Sequence, residues 1–159
     1  MRQLLVLRHA KSSWAEAGLD DWQRPLNDRG LRDAPRVGEF LRAQSLVPDL
    51  IITSDAVRAR TTAQMVATSA GYQGDLVAEP SLYLATPDDA IAVLNGAPDT
   101  ARSVMIVGHN PGLEDLIAQL TGEHHGLSTA ALVHISVPVA SWSDLDSTIA
   151  ASVLDAWKP

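Results

Sequence analysis

Short, almost entirely apolar runs alternate along the chain with longer segments in which apolar residues recur at helical spacing. A continuous apolar run such as Leu4–Leu7 is typical of a strand buried on both faces of a sheet. Ser103–Val107 shows this pattern most clearly and Leu76–Glu79 shows it least. Six strands are predicted in all: Leu4–Leu7, Leu50–Thr53, Leu76–Glu79, Ser103–Val107, Ala131–Val137 and Thr148–Trp157.

The segments between these strands carry helix start and stop signals. Asn27, Ser54 and Thr86 can each cap the N-terminus of a helix. Pro35 should kink or split the first helix, because proline lacks the N–H that a helix interior needs. The four predicted helices are Asn27 to about Gln44, Ser54 to about Gly71, Thr86–Asn95, and Asn110 to about Gly122.

Strands that alternate with helices predict an α/β fold, in which a mostly parallel sheet is covered by helices on both faces in three α/β/α layers. No repeat, linker-like tract or block of like charge divides the chain, so we expect one domain over residues 1–159. In such sheets, ligands bind at the carboxyl ends of the strands. Three of those ends are rich in polar residues: Arg8-His9, Ser54–Arg60 and Gly108–Asn110.

Composition narrows the classes of function. The chain has no cysteine, which excludes disulfides, thiolate metal sites and cysteine nucleophiles. Its net charge of −7 argues against nucleic acid or an anionic membrane as a partner, since both require a basic face. The apolar run near the N-terminus is too short for a signal peptide, so we expect a cytoplasmic protein. The sequence does not indicate an oligomeric state.

Several common catalytic motifs are absent. There is no glycine-rich phosphate loop, no dinucleotide fingerprint and no G-x-S-x-G nucleophile elbow. The five histidines include no helical i, i+4 pair and no evident carboxylate partner, so we expect no metal site. We interpret the adjacent His124 and His125 as solvated and His134 as a satisfied residue of a strand.

The candidate site consists of basic and imidazole side chains at three strand ends. Arg8 and His9 follow the first strand, although that pair alone could be a solvated strand end. Arg58 lies in the first turns of a helix, where the helix dipole and free N–H groups favour an anion. His109 follows the fourth strand after a glycine. Because the ends of parallel strands share one edge of a sheet, these four side chains are predicted to face one crevice. We call them the core residues of the candidate site.

These motifs resemble those of the histidine phosphatase superfamily, whose fold is also called phosphoglycerate mutase-like. The R-H-G motif of that family appears here as Arg8-His9-Ala10, its Ser…Arg-Ala…Thr element as Ser54–Thr62, and its G-H-N element as Gly108–Asn110. The similarity extends to at least Gly122. Within the superfamily, the chain is most similar to the small SixA-type phosphohistidine phosphatases, through the stretches Leu7–Trp14, Arg24–Gly30 and Leu82–Asp88.

The resemblance implies a metal-independent phosphatase that needs no cofactor. His9 would be the nucleophile and would become transiently phosphorylated, since a neutral imidazole has a free lone pair at cellular pH. Arg8 and Arg58 would hold the phosphoryl oxygens, and His109, if protonated, would add a donor. Water would then hydrolyse the phosphohistidine. Ala10 stands where the family commonly has glycine, which is a modest departure.

The group that protonates the leaving group is the least defined part of the candidate site. Many relatives that cleave phosphate esters use a carboxylic acid for this purpose. Glu79, at the end of the third predicted strand, is the nearest candidate and Asp88 is a poorer one, but Glu79 could equally be an exposed strand-end charge. A phosphohistidine substrate would reduce the need for an acid, because imidazole leaves more readily than an alkoxide.

Three functions remain open from the sequence. The leading hypothesis is removal of phosphate from phosphohistidine in a protein, which makes a phosphorylated protein the expected partner. The first alternative is a phosphomonoesterase acting on a small phosphorylated metabolite or a phosphoserine-type substrate. The second is a non-catalytic module that binds phosphate without turnover, which the presence of all four core residues disfavours.

Overall fold

The computed structural model describes all 159 residues, and all six predicted strands are present. The largest difference from the predicted bounds is at the last strand, which begins at Ser152 and not at Thr148. Thr148 instead belongs to a tight turn, in which its N–H and its hydroxyl both donate to Oδ1 of Asp146. The strands are Arg2–Arg8 (β1), Leu50–Thr53 (β2), Leu76–Ala78 (β3), Ser103–Gly108 (β4), Leu132–Val137 (β5) and Ser152–Trp157 (β6).

The six strands form one sheet in the order β3-β2-β4-β1-β5-β6. The pairings of β3 with β2, β2 with β4 and β4 with β1 are parallel, whereas β5 pairs antiparallel with both β1 and β6. The sheet is therefore mostly parallel, as the alternation of strands and helices predicts. Because β1, β4 and β2 are neighbours, the three polar strand ends meet at one edge of the sheet.

Four α-helices cover the sheet, and the predicted caps of two of them are present. The side chains of Asn27 and Thr86 accept the N–H groups of Gly30 and Asp89. Two helices end at a glycine in the left-handed conformation, which glycine adopts without strain. The helices are Asp28–Ala43 (α1), Val57–Ala70 (α2), Pro87–Asn95 (α3) and Gly112–Thr121 (α4).

Two helix predictions need correction. Pro35 does not split α1, which runs through it without interruption and buries Ala34 and Val37 beside it. Ser54 is not the N-cap of α2, because that helix begins three residues later and its N-cap, Ala56, has no side chain that could bond. The hydroxyl of Ser54 is instead used at the polar edge of the sheet.

Successive residues of the buried strands point to opposite faces and build two hydrophobic cores. On β1, Leu4 and Val6 pack into the core that contains α3 and α4. Leu5 and Leu7 pack into the core that contains α1 and α2. This is the predicted three-layer α/β/α arrangement. None of the helices is at once long enough and apolar enough to cross a membrane.

The loop between β1 and α1 forms one wall of the polar edge. Its two ends are joined by an isolated β-bridge between Ser12 and Leu26. Gly30 lets α1 approach the loop closely, since a Cβ at that position would collide with the carbonyl oxygen of Lys11. The loop contains a short 3-10 helix, Asp21–Gln23, which the hydrophobic pattern does not predict.

Candidate active site

The carboxyl ends of β1, β2 and β4 meet at a cleft of about 220 Å³. Arg8, the last residue of β1, is in register with Gly108, the last residue of β4, and this pairing places His9 beside His109. The centres of the two imidazole rings are 5.2 Å apart. All four core residues expected from the sequence line this cleft. The complete lining is Arg8, His9, Lys11, Ser12, Trp14, Arg24, Arg58, Leu84, His109, Asn110 and Thr129.

His9 has the orientation and protonation state that a nucleophile requires. Its Nδ1 lies 2.7 Å from the carbonyl oxygen of Ala10, which can only accept, so Nδ1 carries the ring proton and donates it. The other ring nitrogen, Nε2, therefore has a free lone pair. Burial lowers the pKa of His9 to about 4, against the opposing effect of the Ala10 bond, and the charges of Arg58 and Arg8 lower it further. The ring is neutral at neutral pH.

Thr62 ties the loop after β1 to helix α2. Its hydroxyl accepts the N–H of Ala10 at 3.0 Å and donates to the carbonyl oxygen of Arg58 at 2.7 Å. Thr62 and Arg58 are both buried and lie one helical turn apart. The hydroxyl therefore fixes the backbone beside His9 relative to the helix that carries Arg58.

The ring of His109 is held by Ser54, which directly follows β2. Its Nε2 lies 2.8 Å from Oγ of Ser54, and the same Oγ accepts the N–H of Ala56 at 3.2 Å. The Ser54 side chain is fully buried, and its hydroxyl proton has no other acceptor than His109. Donation from Ser54 places the ring proton of His109 on Nδ1. Burial lowers the pKa of His109 to about 3, so His109 offers a neutral donor and no charge.

Two core arginines flank His9, and they are held differently. Arg58 donates from Nη1 to the backbone oxygen of Asp21 at 2.7 Å and from Nη2 to Oδ2 of Asp21 at 2.9 Å. Arg8 makes one hydrogen bond, from Nη1 to the carbonyl oxygen of Leu127 at 3.1 Å. Each guanidinium group has five N–H donors, so both keep donors that the protein does not use. Binding of a phosphoryl group requires such donors.

The loop after β1 adds a third arginine, Arg24, which sequence analysis does not assign to the site. Arg24 donates to Oδ1 of Asp21 at 2.9 Å and to the carbonyl oxygen of Ser13 at 3.1 Å. Its guanidinium carbon lies 3.2 Å from the ring centre of Trp14. The only signal in the sequence is that Arg24 opens one of the stretches shared with the SixA-type proteins; no spacing rule connects it to His9.

Asp21 links two of the arginines in the cleft wall and was also not predicted. Its carboxylate accepts from Arg24, from Arg58 and from the hydroxyl of Tyr83. The hydrogen bond from Tyr83, together with those from the two arginines, holds the pKa of Asp21 well below its usual range. The carboxylate therefore stays ionised and orients guanidinium groups, which is incompatible with a role as a general acid.

The structure does not bring Glu79 into the cleft. Its carboxylate accepts from the hydroxyl of Ser81 at 2.9 Å and from the N–H of the same residue at 3.4 Å, at the start of a short 3-10 helix. Glu79 borders a separate hollow between β2, β3 and the end of α3. Asp88 is exposed in the first turn of α3. No aspartate or glutamate lines the cleft, so this placement favours the interpretation of Glu79 as a strand-end charge.

All three buried side-chain polar atoms without a partner in the protein belong to residues of the cleft. They are Nε of Arg8, Nδ1 of His109 and Oδ1 of Asn110. Asn110 is oriented by its other amide atom, which donates to the carbonyl oxygen of Leu127 at 2.7 Å. Unpaired buried polar atoms are costly and rare in proteins, and their concentration in one place is typical of a functional site.

The remaining histidines lie away from the cleft. His124 is exposed, and Nε2 of His125 is 3.8 Å from Oε1 of Glu123. His134 is half-buried on β5, where its Nε2 contacts Oε1 of Gln3. No group of three or more histidine, aspartate or glutamate side chains is arranged to hold a metal ion.

The fold and the cleft define a class of protein that similarity to known proteins confirms. The profile of the histidine phosphatase superfamily (branch 1) matches residues 4–82. An uncharacterized chloroplastic protein of Arabidopsis thaliana is 31% identical over an alignment of 171 positions, gaps included, that covers 99% of this chain and 75% of that protein. An uncharacterized protein of Mycobacterium tuberculosis is 29% identical over 160 residues, with 92% of this chain and 96% of that protein covered. The chain belongs to the histidine phosphatase superfamily.

Solved structures are similar over nearly the whole chain. A protein from Nakamurella multipartitia has a TM-score of 0.86 at 24% identity, with 99% of this chain and 96% of that chain covered. A protein from Agrobacterium tumefaciens has a TM-score of 0.83 at 28% identity, with 99% and 98% covered. Both carry the name phosphohistidine phosphatase SixA as a provisional designation. The predicted phosphoglycerate mutase-like fold and the resemblance to the SixA-type branch are thereby confirmed.

Proposed function

We propose that this chain is a metal-independent phosphatase that forms a phosphohistidine intermediate on His9 and removes phosphate from phosphohistidine in proteins. The observation that carries this proposal is the state of His9. Its Nδ1 proton is committed to Ala10, its pKa is lowered to about 4, and its Nε2 lone pair is free beside the arginines of the cleft. A neutral imidazole in that setting is ready to attack phosphorus.

In the first step, Nε2 of His9 attacks the phosphorus of the substrate. The substrate's imidazole carries a proton on its other ring nitrogen, so when the P–N bond breaks, the electron pair leaves with a neutral imidazole. Arg8 and Arg58 donate to the equatorial oxygens, Arg24 adds positive charge beside them, and His109 contributes a neutral N–H. In phosphoryl transfer, positioning and fixed positive charge supply most of the rate enhancement.

In the second step, water attacks the phosphorus of phospho-His9. The P–N bond breaks, its electron pair returns to Nε2, and a proton of the water passes to the orthophosphate or to solvent. His9 is regenerated with its proton still on Nδ1, where Ala10 holds it. Neither step routes a proton or an electron pair through a metal or a cofactor.

The lining of the cleft supports phosphohistidine over a phosphate ester. An alkoxide leaving group needs an acid to protonate it, and no carboxylic acid lines the cleft. A phosphohistidine protonated on its other ring nitrogen releases neutral imidazole and does not require that acid. A structure of the protein histidine phosphatase SixA complexed with tungstate has the same fold, with a TM-score of 0.83 at 21% identity. Tungstate is a tetrahedral oxyanion like phosphate, so that protein binds an anion of the kind that the proposed function requires this chain to bind.

A substrate panel with the purified protein tests this proposal. We expect kcat/KM for free phosphohistidine to exceed that for a phosphoserine peptide and for a sugar phosphate by about 100-fold, which is the lower range of what a missing general acid costs an ester. Rapid quench followed by mass spectrometry should locate the phosphoryl group on His9. His9→Ala should abolish turnover, whereas His134→Gln, a histidine change outside the cleft, should leave it unchanged.

The other outcomes of the panel decide between the alternatives. Turnover that survives His9→Ala would contradict the intermediate. A sugar phosphate as the best substrate would establish the metabolite phosphatase, and binding of phosphate without any turnover would establish the non-catalytic module.

A further inference from the structure

Of the exposed apolar side chains of this protein, two line the cleft and a third lies on the loop that forms one of its walls. Trp14 and Leu84 line the cleft, and Trp22 lies on the 3-10 helix next to Asp21, whose carboxylate binds two arginines of the cleft. The exposed fraction is 75% for Trp14, 58% for Leu84 and 44% for Trp22. We call Trp14, Trp22 and Leu84 the apolar rim. Single exposed apolar residues are ordinary, but a group at the mouth of a site is typical of an interaction surface.

Two members of the apolar rim have a constrained conformation. The ring of Trp14 lies against the guanidinium of Arg24, which is in turn bonded to Asp21 and to the loop backbone. Leu84 has a φ of +51°, a left-handed conformation that a residue with a Cβ adopts only where its surroundings impose it. Rigid exposed apolar groups lose little entropy on binding, so they are effective anchors.

The charges beside the apolar rim indicate what it meets. The whole chain has a net charge of −7, yet the cleft is lined by three arginines and Lys11 and by no carboxylate. This basic surface complements a phosphoryl dianion. A sugar phosphate offers the apolar rim a mostly hydroxylated surface, whereas apolar side chains next to a phosphorylated residue of a protein complement it over a larger area.

We propose that the apolar rim is the docking surface for the protein that carries the phosphohistidine, and that it contacts apolar side chains next to the phosphorylated histidine. This inference rests on the proposed function. The phosphoryl group enters the basic cleft while neighbouring apolar side chains of the partner are buried against Trp14, Trp22 and Leu84. The cleft recognises the phosphoryl group, and the apolar rim selects among phosphohistidine proteins.

Two synthetic peptides test the docking surface. They are identical except that leucines flank the phosphohistidine in one and serines in the other, and each is phosphorylated at one histidine with phosphoramidate. We expect the wild-type protein to prefer the leucine peptide by about tenfold in kcat/KM, which corresponds to partial burial of two apolar side chains. The double variant Trp22→Ala/Leu84→Asn should lose this preference. Asparagine at position 84 tolerates the left-handed conformation, so the loop is not strained further.

A matched control distinguishes the effect of removing the apolar rim from the effect of removing exposed apolar side chains elsewhere on the surface. The double variant Val77→Thr/Leu154→Thr removes two side chains of similar exposure, 42% and 54%, from edge strands β3 and β6. It should keep the tenfold preference. The control variant should hydrolyse free phosphohistidine at the wild-type rate. For the Trp22→Ala/Leu84→Asn variant, the ratio of the two peptide kcat/KM values is compared, so that any change in the cleft, which Leu84 lines, cancels.

Each other outcome overturns the proposal in a distinguishable way. Hydrolysis of phosphohistidine without a preference for leucine flanks would leave the proposed function standing and reject the docking surface. A preference that persists in the Trp22→Ala/Leu84→Asn variant would also reject it. A change from dimer to monomer in that variant by light scattering would assign these side chains to a second copy of the chain. Failure to hydrolyse any phosphohistidine would reject the function and the docking surface together.

Discussion

Arg2 and Arg8 stand at opposite ends of β1, and the protein surrounds them in opposite ways. Arg2, at the amino end, donates from all three of its guanidinium nitrogens to the carbonyl oxygens of Asp99, Ala101 and Ala140. Arg8, at the carboxyl end, makes one hydrogen bond and has an Nε without a partner. Both residues are arginines of the same strand, but the fold uses all three guanidinium nitrogens of Arg2 and only one of Arg8.

Under the proposed function, this contrast separates a structural arginine from one that binds the phosphoryl group. The donors of Arg2 pair with backbone carbonyl oxygens of two loops that lie next to β1. Arg2 therefore stabilises the fold. The three unpaired buried atoms of the molecule all lie at the other end of the sheet. Proteins accept such a cost where function requires preorganised donors, and other interactions compensate for it.

Exchanging each arginine for alanine tests the contrast most strongly. Arg8→Ala should lower kcat/KM for phosphohistidine by about 1,000-fold, the scale of losing a preorganised donor to the transition state, with little change in stability. Arg2→Ala should do the reverse: an active protein whose free energy of unfolding falls by about 2–3 kcal/mol, because buried carbonyl oxygens lose charged donors. Steady-state kinetics and urea denaturation measure the two effects. Equal effects of both variants on activity would break the contrast.

The fraction of neutral His9 at acidic pH is expected to differ about 30-fold from that of an ordinary histidine, a smaller effect than that of Arg8→Ala. With a pKa of about 4, His9 should be about 90% neutral at pH 5, whereas a histidine of pKa 6.5 would be about 3% neutral, a difference of about 30-fold. Titration of its ring resonances by NMR, assigned with His9→Gln, measures this. A midpoint near 6.5 would show that burial does not control the ring.

The same shifts make stability depend on pH. Between pH 6.5 and 4 the unfolded chain binds protons at His9 and His109 that the folded chain does not bind. Their contribution to stability is therefore complete above pH 6.5 and decreases as the pH falls toward 4. The slope of the free energy of unfolding against pH should be shallower in His109→Gln, and an unchanged slope would contradict the lowered pKa.

Removing the Ser54 hydroxyl creates a further unpaired atom at the active end of the sheet. Ser54→Ala should lower kcat by about tenfold, because Nε2 of His109 loses the donor that sets its tautomer. Nitrogen-15 NMR should show the ring proton redistributed between Nδ1 and Nε2. Thr53→Val is the matched control, since the Thr53 hydroxyl is also buried but donates to a backbone carbonyl and not to His109. Full kcat with an unchanged tautomer in Ser54→Ala would remove Ser54 from the site.

Glu79 should behave like Arg2, as a charged group whose partners are structural. Glu79→Gln should change kcat/KM by less than about twofold on both phosphohistidine and p-nitrophenyl phosphate, because the carboxylate binds Ser81 outside the cleft. Enzyme kinetics on the two substrates measures this directly. A large loss confined to the ester would return Glu79 to the role of general acid.

The sheet and the core site residues could be predicted because local patterns determine them. Apolar runs such as Leu4–Leu7 are buried on both faces and leave little choice of structure. The cap at Thr86 depends only on residues within one turn. His9 and His109 immediately follow strands that are neighbours in the sheet, so finding those strands is enough to place them together.

The rest of the site depends on contacts that no local pattern encodes. Asp21 reaches Arg58 across 37 residues of sequence, from a loop without periodicity. Ser54 has the local signature of a helix cap, but its hydroxyl bonds a histidine 55 residues away, and that tertiary contact overrides the local preference. Pro35 shows the same effect, since burial of neighbouring side chains holds α1 together through a residue that should interrupt it.

The contact between Arg24 and Trp14 gives this protein an intrinsic optical signal. Indole fluorescence depends on the charge next to the ring, and the guanidinium carbon of Arg24 lies 3.2 Å from the ring centre of Trp14. An anion that binds Arg24 in the cleft partly neutralises that charge. The emission of Trp14 should therefore follow occupancy of the cleft in real time and without a label, and Trp14→Phe identifies its share among the four tryptophans.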